Sequence, residues 1–362
     1  MATKKQHYVP KLLLRGFANR VGEEFRLNVY DIERDHYRQN QKISEVCSGN
    51  YTYDKDNTFE HFLSDHIETP FGSDLSEMVK SPQRTSPFPS DNLLRFLLVQ
   101  LARTRQAFNS NMESMNGMMQ TVFAETAKLN NMDPTSVERL EIGPSEPRSV
   151  LAYLAAYAAT QYKLLADLHL SILVNETNDE FIVSDHPVFQ HNWYLRNSTE
   201  LLANGITVRG VQFFLPITST LTVCLYDPSV YVYRGSQKGV AITVTLSDVA
   251  TLNSFQALNA SELLVARSEK TAQTLVDLGR RYSEQNSFTS EASNSEPTDD
   301  GCGRVRSTHI VVRRQARLPS MPSFVKIKNK VRRAPLDCRH RQPEVVLAHE
   351  ALTKAMDRVR NE

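Results

Sequence analysis

The apolar positions at the start of the chain predict a short helix and then a β-hairpin. Residues 12–17 place apolar side chains at helical spacing soon after Pro10, and proline is favoured at the first position of a helix. Residues 25–32 alternate between apolar and polar side chains, as in a strand with one buried face. The turn-like residues 33–35 lead into a second such run, 37–43, so the two runs are expected to pair.

Helical spacing dominates the next hundred residues. Residues 58–80 form an amphipathic pattern that is interrupted near Pro70. A proline-rich loop ends at residues 90–91, a Ser-Asp pair that can cap a helix, and helical spacing then continues over 93–129. Residues 150–166 are rich in alanine and leucine and nearly free of charge, which predicts a buried helix.

The second half of the chain changes to short β-rich runs bounded by Gly, Pro, Asn and Asp, which predict an antiparallel or mixed sheet. These runs are residues 169–177, 180–189, 211–227 and 239–246. A last helical region, 247–282, is expected to cover this sheet. After Ser283 the sequence turns to small polar residues and then to basic ones, which is typical of a disordered segment.

These patterns predict an α+β fold with a mostly helical N-terminal two-thirds, a small antiparallel or mixed sheet and a disordered, basic C-terminal tail. They place a single α+β domain at residues 1–282 and a low-complexity tail at residues 283–362. With 362 residues, of which 40% are hydrophobic and 23% charged, the chain is long enough to bury a substantial core.

Composition favours a cytoplasmic protein. No stretch approaches the roughly 18 consecutive apolar residues of a membrane-spanning helix, so no membrane association is expected. The first apolar run is interrupted by Arg15 and no small-residue cleavage site follows it, so it is not expected to be a signal peptide. The four cysteines are scattered without a CxxC pair, which indicates neither a disulfide framework nor a zinc finger.

The net charge of +1 conceals an asymmetry along the chain. Residues 1–282 carry 27 Lys and Arg against 31 Asp and Glu, whereas residues 301–342 carry 12 Lys and Arg against one acid, Asp337. A basic arm of this kind binds nucleic acid through phosphates, without sequence preference and with an affinity that falls steeply with salt. The alternative is a solvated, disordered extension.

Several segments occur together in an order that is hard to obtain by chance. They are QHYVPKLLLRGF (6–17), FEHFLSDHIE (59–68), FLLVQLARTR (96–105), FIVSDHPV (181–188), FFLPITSTLTV (213–223) and VATLNSFQALNASELLVA (249–266). With these motifs the chain resembles the domain of unknown function 4238 family over about residues 4–270, although His186 stands where that family's turn usually has Asn. The resemblance implies no established activity.

The predicted helix at 58–80 carries two glutamates, Glu60 and Glu68, which end about 80° apart at about 100° per residue and so share a broad face. Carboxylates that converge there would bind a divalent cation or exchange a proton; a solvated acidic face is the alternative. Arg103 lies one helical turn after Gln100. It would clamp a phosphate or carboxylate, or tie one of the two glutamates into a structural ion pair.

Two further candidates stand at the edges of secondary elements. His7 lies just before the first helix, where its imidazole can ligate a metal or act as a base, or simply dock the N-terminus through a backbone hydrogen bond. Asp185 follows an apolar strand-like run, which would hold it rigidly for catalysis, or it caps its own turn. We predict that His7 and Asp185 share one pocket, completed by Arg103 or Glu68.

Standard phosphate-loop, dinucleotide, nucleophile-elbow and HExxH signatures are missing from the sequence. The first hypothesis is therefore a metal-dependent hydrolase of intracellular bacterial type that acts on phosphodiesters, as a nuclease does. Its catalytic residues would be His7, Glu68, Arg103 and Asp185, with Mg²⁺ or Mn²⁺ held by His7, Glu60, Glu68 and Asp185. The second hypothesis is a non-catalytic interaction module, in which these residues form a buried network and the tail binds nucleic acid or a protein partner.

Overall fold

A computed structural model of the chain describes residues 5–50, 52–130, 133, 145–198, 203–235, 240–283 and 320–351, with short strands between 290 and 313. The α-helices are α1 (Lys11–Leu14), α2 (Thr58–Leu63), α3 (Thr69–Lys80), α4 (Asp91–Ala102), α5 (Arg105–Leu129), α6 (Pro147–Thr160), α7 (Leu246–Asn259), α8 (Ala272–Tyr282) and α9 (Asn329–Arg332). Among these described residues, no helix is both long enough and apolar enough to cross a membrane.

The strands run throughout the chain. They are β1 (Lys5–His7), β2 (Asn19–Val21), β3 (Glu24–Asp31), β4 (His36–Lys42), β5 (Ser48–Asn50), β6 (His169–Val174), β7 (Val183–Ser184), β8 (Phe189–His191), β9 (Gln212–Pro216), β10 (Leu221–Tyr226), β11 (Tyr231–Tyr233), β12 (Ala241–Thr243), β13 (Leu263–Ala266), β14 (Ser290–Asn294), β15 (Thr298–Asp299), β16 (Val305–Arg306), β17 (His309–Arg313) and β18 (Val325–Ile327).

These strands form several sheets, so the prediction of a mostly helical N-terminal two-thirds with one small sheet is wrong. One five-stranded sheet has the order β12-β6-β10-β9-β8. A second has the order β2-β3-β13-β7, with β4 paired to β3. This second sheet joins the N-terminal hairpin to β13, a buried strand that lies within the predicted helix 247–282. The chain therefore has a mixed α+β fold in which the N-terminal hairpin shares a sheet with β13, a strand from the second half of the chain.

The helical region differs from the predicted pattern at two points that matter for the site. The expected interruption near Pro70 is instead a π-helical turn at Ser64–Glu68, which links α2 to α3. The expected single helix over 93–129 breaks after Ala102, because Thr104 accepts the backbone N–H of Ala107 at 3.3 Å and starts α5 as its cap. This break places Arg103 at the buried end of α4.

The first helix is fixed against the β9–β10 turn by an unusually close approach. A Cβ atom on Gly16 would lie 2.1 Å from the carbonyl oxygen of Ile217, so only glycine fits there without displacing backbone. The carbonyl of Gly16 accepts the N–H of Ser219 at 3.1 Å. The segment after α1 is thus locked onto the first five-stranded sheet.

Part of the C-terminal segment packs on the body of the protein, which corrects the prediction of a disordered tail for residues 320–341. Strand β18 pairs antiparallel with β11, and Phe324 and Val331 are 4% and 2% exposed. Arg341 donates to both carboxylate oxygens of Asp167 at 2.8 and 3.1 Å. Residues 284–319 of the predicted tail, apart from β14 to β17, lie outside the described residues.

Candidate functional site

The π-helical turn aligns Glu60 and Glu68. In a regular α-helix, residues eight apart differ by about 80° in direction. The wider π turn at Ser64–Glu68 takes up one extra residue. The eight residues from Glu60 to Glu68 therefore rotate about as far as seven residues of a regular α-helix, and the angle between the two side chains falls to about 20°. The negative charge of Glu68 accordingly acts on Glu60 and raises the pKa of Glu60.

Arg103 lies against this pair from the end of α4 and is 1% exposed. Its Nη1 donates to Glu68 Oε1 at 2.8 Å, and its Nε donates to Gln100 Oε1 at 2.8 Å. Gln100 in turn donates to the carbonyl oxygen of Tyr8 at 2.8 Å. Burial alone would lower the pKa of Arg103, but the carboxylate of Glu68 offsets burial and the pKa is raised, so the guanidinium stays charged.

The pKa of Glu60 is strongly perturbed by its surroundings. Burial is the main cause and the neighbouring Glu68 the second, and together they raise the pKa of Glu60 to about 7 in spite of the opposing charge of Arg103. Among the described residues, Glu60 Oε2 and Arg103 Nη2 are buried without a hydrogen-bond partner. Unsatisfied buried polar atoms are rare in folded proteins, and a carboxyl group that titrates near neutrality is typical of acid–base sites.

His7 joins the cluster through its backbone rather than its ring. The His7 backbone favours the charged form of Glu60 and so lowers its pKa, while the His7 ring Nε2 lies 3.2 Å from the carbonyl oxygen of Ile43. Burial, followed by the charge of Lys11, lowers the pKa of His7 to about 4, so the ring is neutral at physiological pH. The hydroxyl of Tyr53 lies 3.4 Å from the carbonyl oxygens of His7 and Arg103.

Asp185 makes a different set of contacts at the end of β7. Its two carboxylate oxygens accept the backbone N–H groups of Ser261 and Glu262 at 2.8 and 2.9 Å, and its own N–H donates to Leu263 O at 3.1 Å. Burial raises the pKa of Asp185 to about 6, although the two N–H donors oppose this. The carboxylate thus ties the β7 turn to the start of β13, and a pocket shared with His7 stays a prediction.

The turn that carries Asp185 is also held by three amide side chains on one face of α7. Asn253 Oδ1 accepts the N–H of Ile182 at 3.0 Å, and Gln256 Oε1 accepts the N–H of Ser184 at 3.0 Å. Asn259 donates to carbonyl oxygens of the same turn. Their three-residue spacing along one helix face was the signal for this contact that the sequence offered.

Asp185→Asn should lower the free energy of unfolding by about 2 kcal/mol or more, because the amide keeps one acceptor and turns its NH₂ group toward a backbone donor. Urea unfolding at pH 8, where Asp185 is ionised, measures the loss. Asp179→Asn, an exposed acid before the same strand, is the control and should change stability by less than about 0.5 kcal/mol. An unchanged midpoint together with lost metal binding would instead make Asp185 a ligand.

Two of the residues proposed from sequence as metal ligands, Glu60 and Glu68, are brought together with Arg103, whereas the His7 ring and Asp185 are engaged elsewhere. Within the part of the chain that is described, no three His, Cys, Asp or Glu side chains are grouped to hold a metal ion. Gln6 and Tyr53 also belong to this region, because Gln6 Oε1 accepts the N–H of Tyr53 at 2.9 Å. Sequence reasoning missed both, although Gln6 directly precedes His7 in the first motif.

Comparison with known proteins gives a family and no activity. No curated protein and no solved structure matches the chain significantly. The family model described as "Protein of unknown function (DUF4238)" matches residues 5–270. This match spans α1 to α7 and β1 to β13, and so includes the Glu60, Glu68 and Arg103 cluster together with Asp185. Since it covers well over half of the sequence, the chain belongs to the DUF4238 family of proteins of unknown function.

Proposed function

We propose that this protein is a hydrolase that acts on phosphodiesters, with Glu60 and Glu68 as the carboxylates of its reactive centre. The observation that carries the proposal is the state of Glu60. This side chain has a pKa of about 7, one buried oxygen without a partner among the described residues, and a second carboxylate beside it. A carboxyl group poised near neutral pH can take a proton from an attacking water and return it to a leaving oxygen.

A divalent cation, Mg²⁺ or Mn²⁺, is part of the proposal. Mg²⁺ is commonly held by one or two carboxylates, with water and substrate phosphate oxygens completing its six ligands. Glu60 and Glu68 would supply the two carboxylates, since they share one face of the α2–α3 helix. Binding of the cation would release the proton of Glu60 at neutral pH, which gives a readout that is independent of hydrolysis.

Arg103 is a positioning residue in this proposal. Arg103 Nη1 lies 2.8 Å from Glu68 Oε1, and because the guanidinium is buried it fixes the orientation of the Glu68 carboxylate. The ion pair fixes the Glu68 carboxylate beside Glu60, whose pKa of about 7 leaves it partly protonated at neutral pH. A carboxylate held by an arginine and a neighbouring carboxyl group that titrates near neutral pH can divide the roles of ligand and proton acceptor.

Nucleic acid is the proposed substrate class, and the basic C-terminal segment is the proposed source of non-specific affinity. Lys330, Arg332 and Arg333 are exposed around α9 and free to approach phosphates, whereas Arg341 is held by Asp167. We place the protein in the cytoplasm, in keeping with the free, buried thiols of Cys47 and Cys224.

Glu60→Gln should lower the rate of phosphodiester hydrolysis at least about 100-fold, because glutamine can neither accept a proton nor ligate a cation with charge. Hydrolysis of bis(p-nitrophenyl) phosphate and of a single-stranded oligonucleotide would be followed with Mg²⁺, with Mn²⁺ and with a chelator. The wild-type rate should rise with pH and level off above about 7, where Glu60 is ionised. Glu77→Gln, an exposed glutamate on α3, is the control and should retain the wild-type rate.

Glu60→Gln should also weaken the dependence of stability on pH. The folded protein raises the pKa of Glu60 above that of the unfolded chain, so the stabilising proton is bound at low pH and lost as the pH rises through about 7. Thermal unfolding temperatures from pH 4.5 to 8.5 should therefore fall less steeply for Glu60→Gln than for the wild type. A flattened pH dependence with no hydrolysis and no cation binding in the wild type would favour the non-catalytic interaction module.

A further inference from the structure

A polar cleft is lined by a different set of side chains from the cluster of Glu60, Glu68 and Arg103. A cavity of about 420 Å³ opens between the segment that follows α1, the end of α3 and the β9–β10 turn. Arg15 and Arg267 line it together with the hydroxyl-bearing residues Thr218, Ser219 and Thr220. None of the side chains of the Glu60 and Glu68 cluster belongs to its lining. Its volume lies within the usual range for small-molecule sites.

The lining of this cleft carries two positive charges and no acidic residue. The Arg15 guanidinium lies 5.5 Å from the centre of the Phe25 ring, and Arg267 Nε donates to Asn19 Oδ1 at 3.2 Å. Among the described residues, neither arginine forms an ion pair with a carboxylate, although twelve such pairs occur elsewhere in the same set. Two neighbouring cations without a counter-charge attract an anion.

The groups around the cleft are held in place before any ligand arrives. The carbonyl oxygen of Arg267 accepts from Asn19 Nδ2 at 2.7 Å and from Asn28 Nδ2 at 2.9 Å, so the backbone of this arginine is fixed from two sides. Thr218 Oγ1 accepts the N–H groups of Thr220 and Leu221 at 3.1 and 2.9 Å, which closes the turn that forms the floor. The backbone that carries Arg267 and the turn after Thr218 therefore have little freedom to lose on binding, which favours it.

We propose that this cleft binds the phosphate group of a small phosphorylated molecule. Two guanidinium groups match the double charge of a phosphate monoester and can each form paired N–H···O hydrogen bonds with it. The cavity is larger than a phosphate group, and Val79 and Pro82 supply an apolar wall on which an organic body would lie. The site is independent of the proposed hydrolase centre.

The test uses the full-length protein with three probes at constant ionic strength: inorganic phosphate, AMP and adenosine. Isothermal titration should show binding of phosphate and of AMP, with AMP at least as tight, and no binding of adenosine. Arg15→Gln and Arg267→Gln should each weaken the binding of phosphate and AMP at least about 10-fold, the loss of one charge-assisted pair of hydrogen bonds. Both positions are exposed, so the variants are expected to fold.

Arg20→Gln is the matched control, because Arg20 is an exposed arginine of the adjacent β2 that does not line the cleft. It should bind both phosphorylated probes as the wild type does, and Glu60→Gln should do so as well, which separates this site from the hydrolase centre. The proposal is overturned if neither phosphate nor AMP binds the wild type, or if both arginine variants bind them with unchanged affinity.

Discussion

Arg103→Met should lower the free energy of unfolding by about 3–5 kcal/mol, the range expected when one partner of a buried ion pair is removed. The Arg103 side chain is 1% exposed and that of Glu68 is 25% exposed, so removing the guanidinium leaves the partly buried carboxyl groups of Glu68 and Glu60 without their counter-charge. Methionine would fill much of the volume but leave Gln100 Oε1 and Glu68 Oε1 without their donor. Chemical denaturation at pH 7 measures the difference.

The same variant should raise the pKa of Glu60 above about 7, because Arg103 is the charge that lowers it. Adding Glu68→Gln should recover part of the lost stability, since it removes the second negative charge from beside Glu60. Arg95→Met is the control on the same helix, where the guanidinium lies 4.1 Å from the centre of the Tyr162 ring, and about 1 kcal/mol is expected there. A loss at Arg103 no larger than at Arg95 would mean that the buried pair contributes little.

The candidate site shows which part of a cluster can be predicted from sequence. The pairing of Glu60 with Glu68, and of one of them with Arg103, follows from helical spacing and charge. The π turn at Ser64–Glu68 does not, because a single extra residue in a helical turn depends on packing against the rest of the fold. That turn brings the two carboxylates from a broad face into alignment. Spacing rules that assume a uniform helix therefore underestimate how strongly they interact.

The fold was less predictable where short apolar runs lie among helices. Residues 263–266 are a buried strand between β3 and β7, yet four consecutive apolar residues between two helical patterns do not differ in periodicity from a helix. Without that strand, the sequence does not predict the sheet that joins the N-terminal hairpin to the second half of the chain. The break between α4 and α5 was missed for a related reason. Thr104 is compatible with a helix interior and becomes a cap only in context.

The C-terminal segment was misjudged because composition outweighed pattern. Residues 320–341 are basic overall, but they include a short apolar motif at 324–327 and a further buried residue, Val331. A segment of this kind does not form a core by itself and gains stability by adding to an existing one, here by pairing β18 with β11. A charge count averaged over forty residues conceals that local contribution.

Removing this segment should therefore have a large effect on stability. A chain that ends at Tyr282 should still unfold cooperatively, but with about 3–5 kcal/mol less free energy of unfolding than the full-length protein. Burial of Phe324, Val325 and Val331 contributes about 1.5–3 kcal/mol for each side chain, part of which is offset by the entropy of ordering the segment. The loss would also expose Tyr233, whose ring packs on Phe324 with 5.2 Å between the ring centres.

Two further truncated chains test whether the loss of stability comes from the packed residues 320–341 or from the segment that connects them to the domain. A chain ending at residue 319 keeps the connection and lacks the packed residues, so it should be as unstable as the chain ending at Tyr282. A chain ending at Gln342 keeps the contacts of Arg341 with Asp167 and should match the full-length protein within about 0.5 kcal/mol. Equal denaturant midpoints for all four chains would mean that residues 320–341 add nothing to the domain, as the 1–282 boundary predicted from sequence requires.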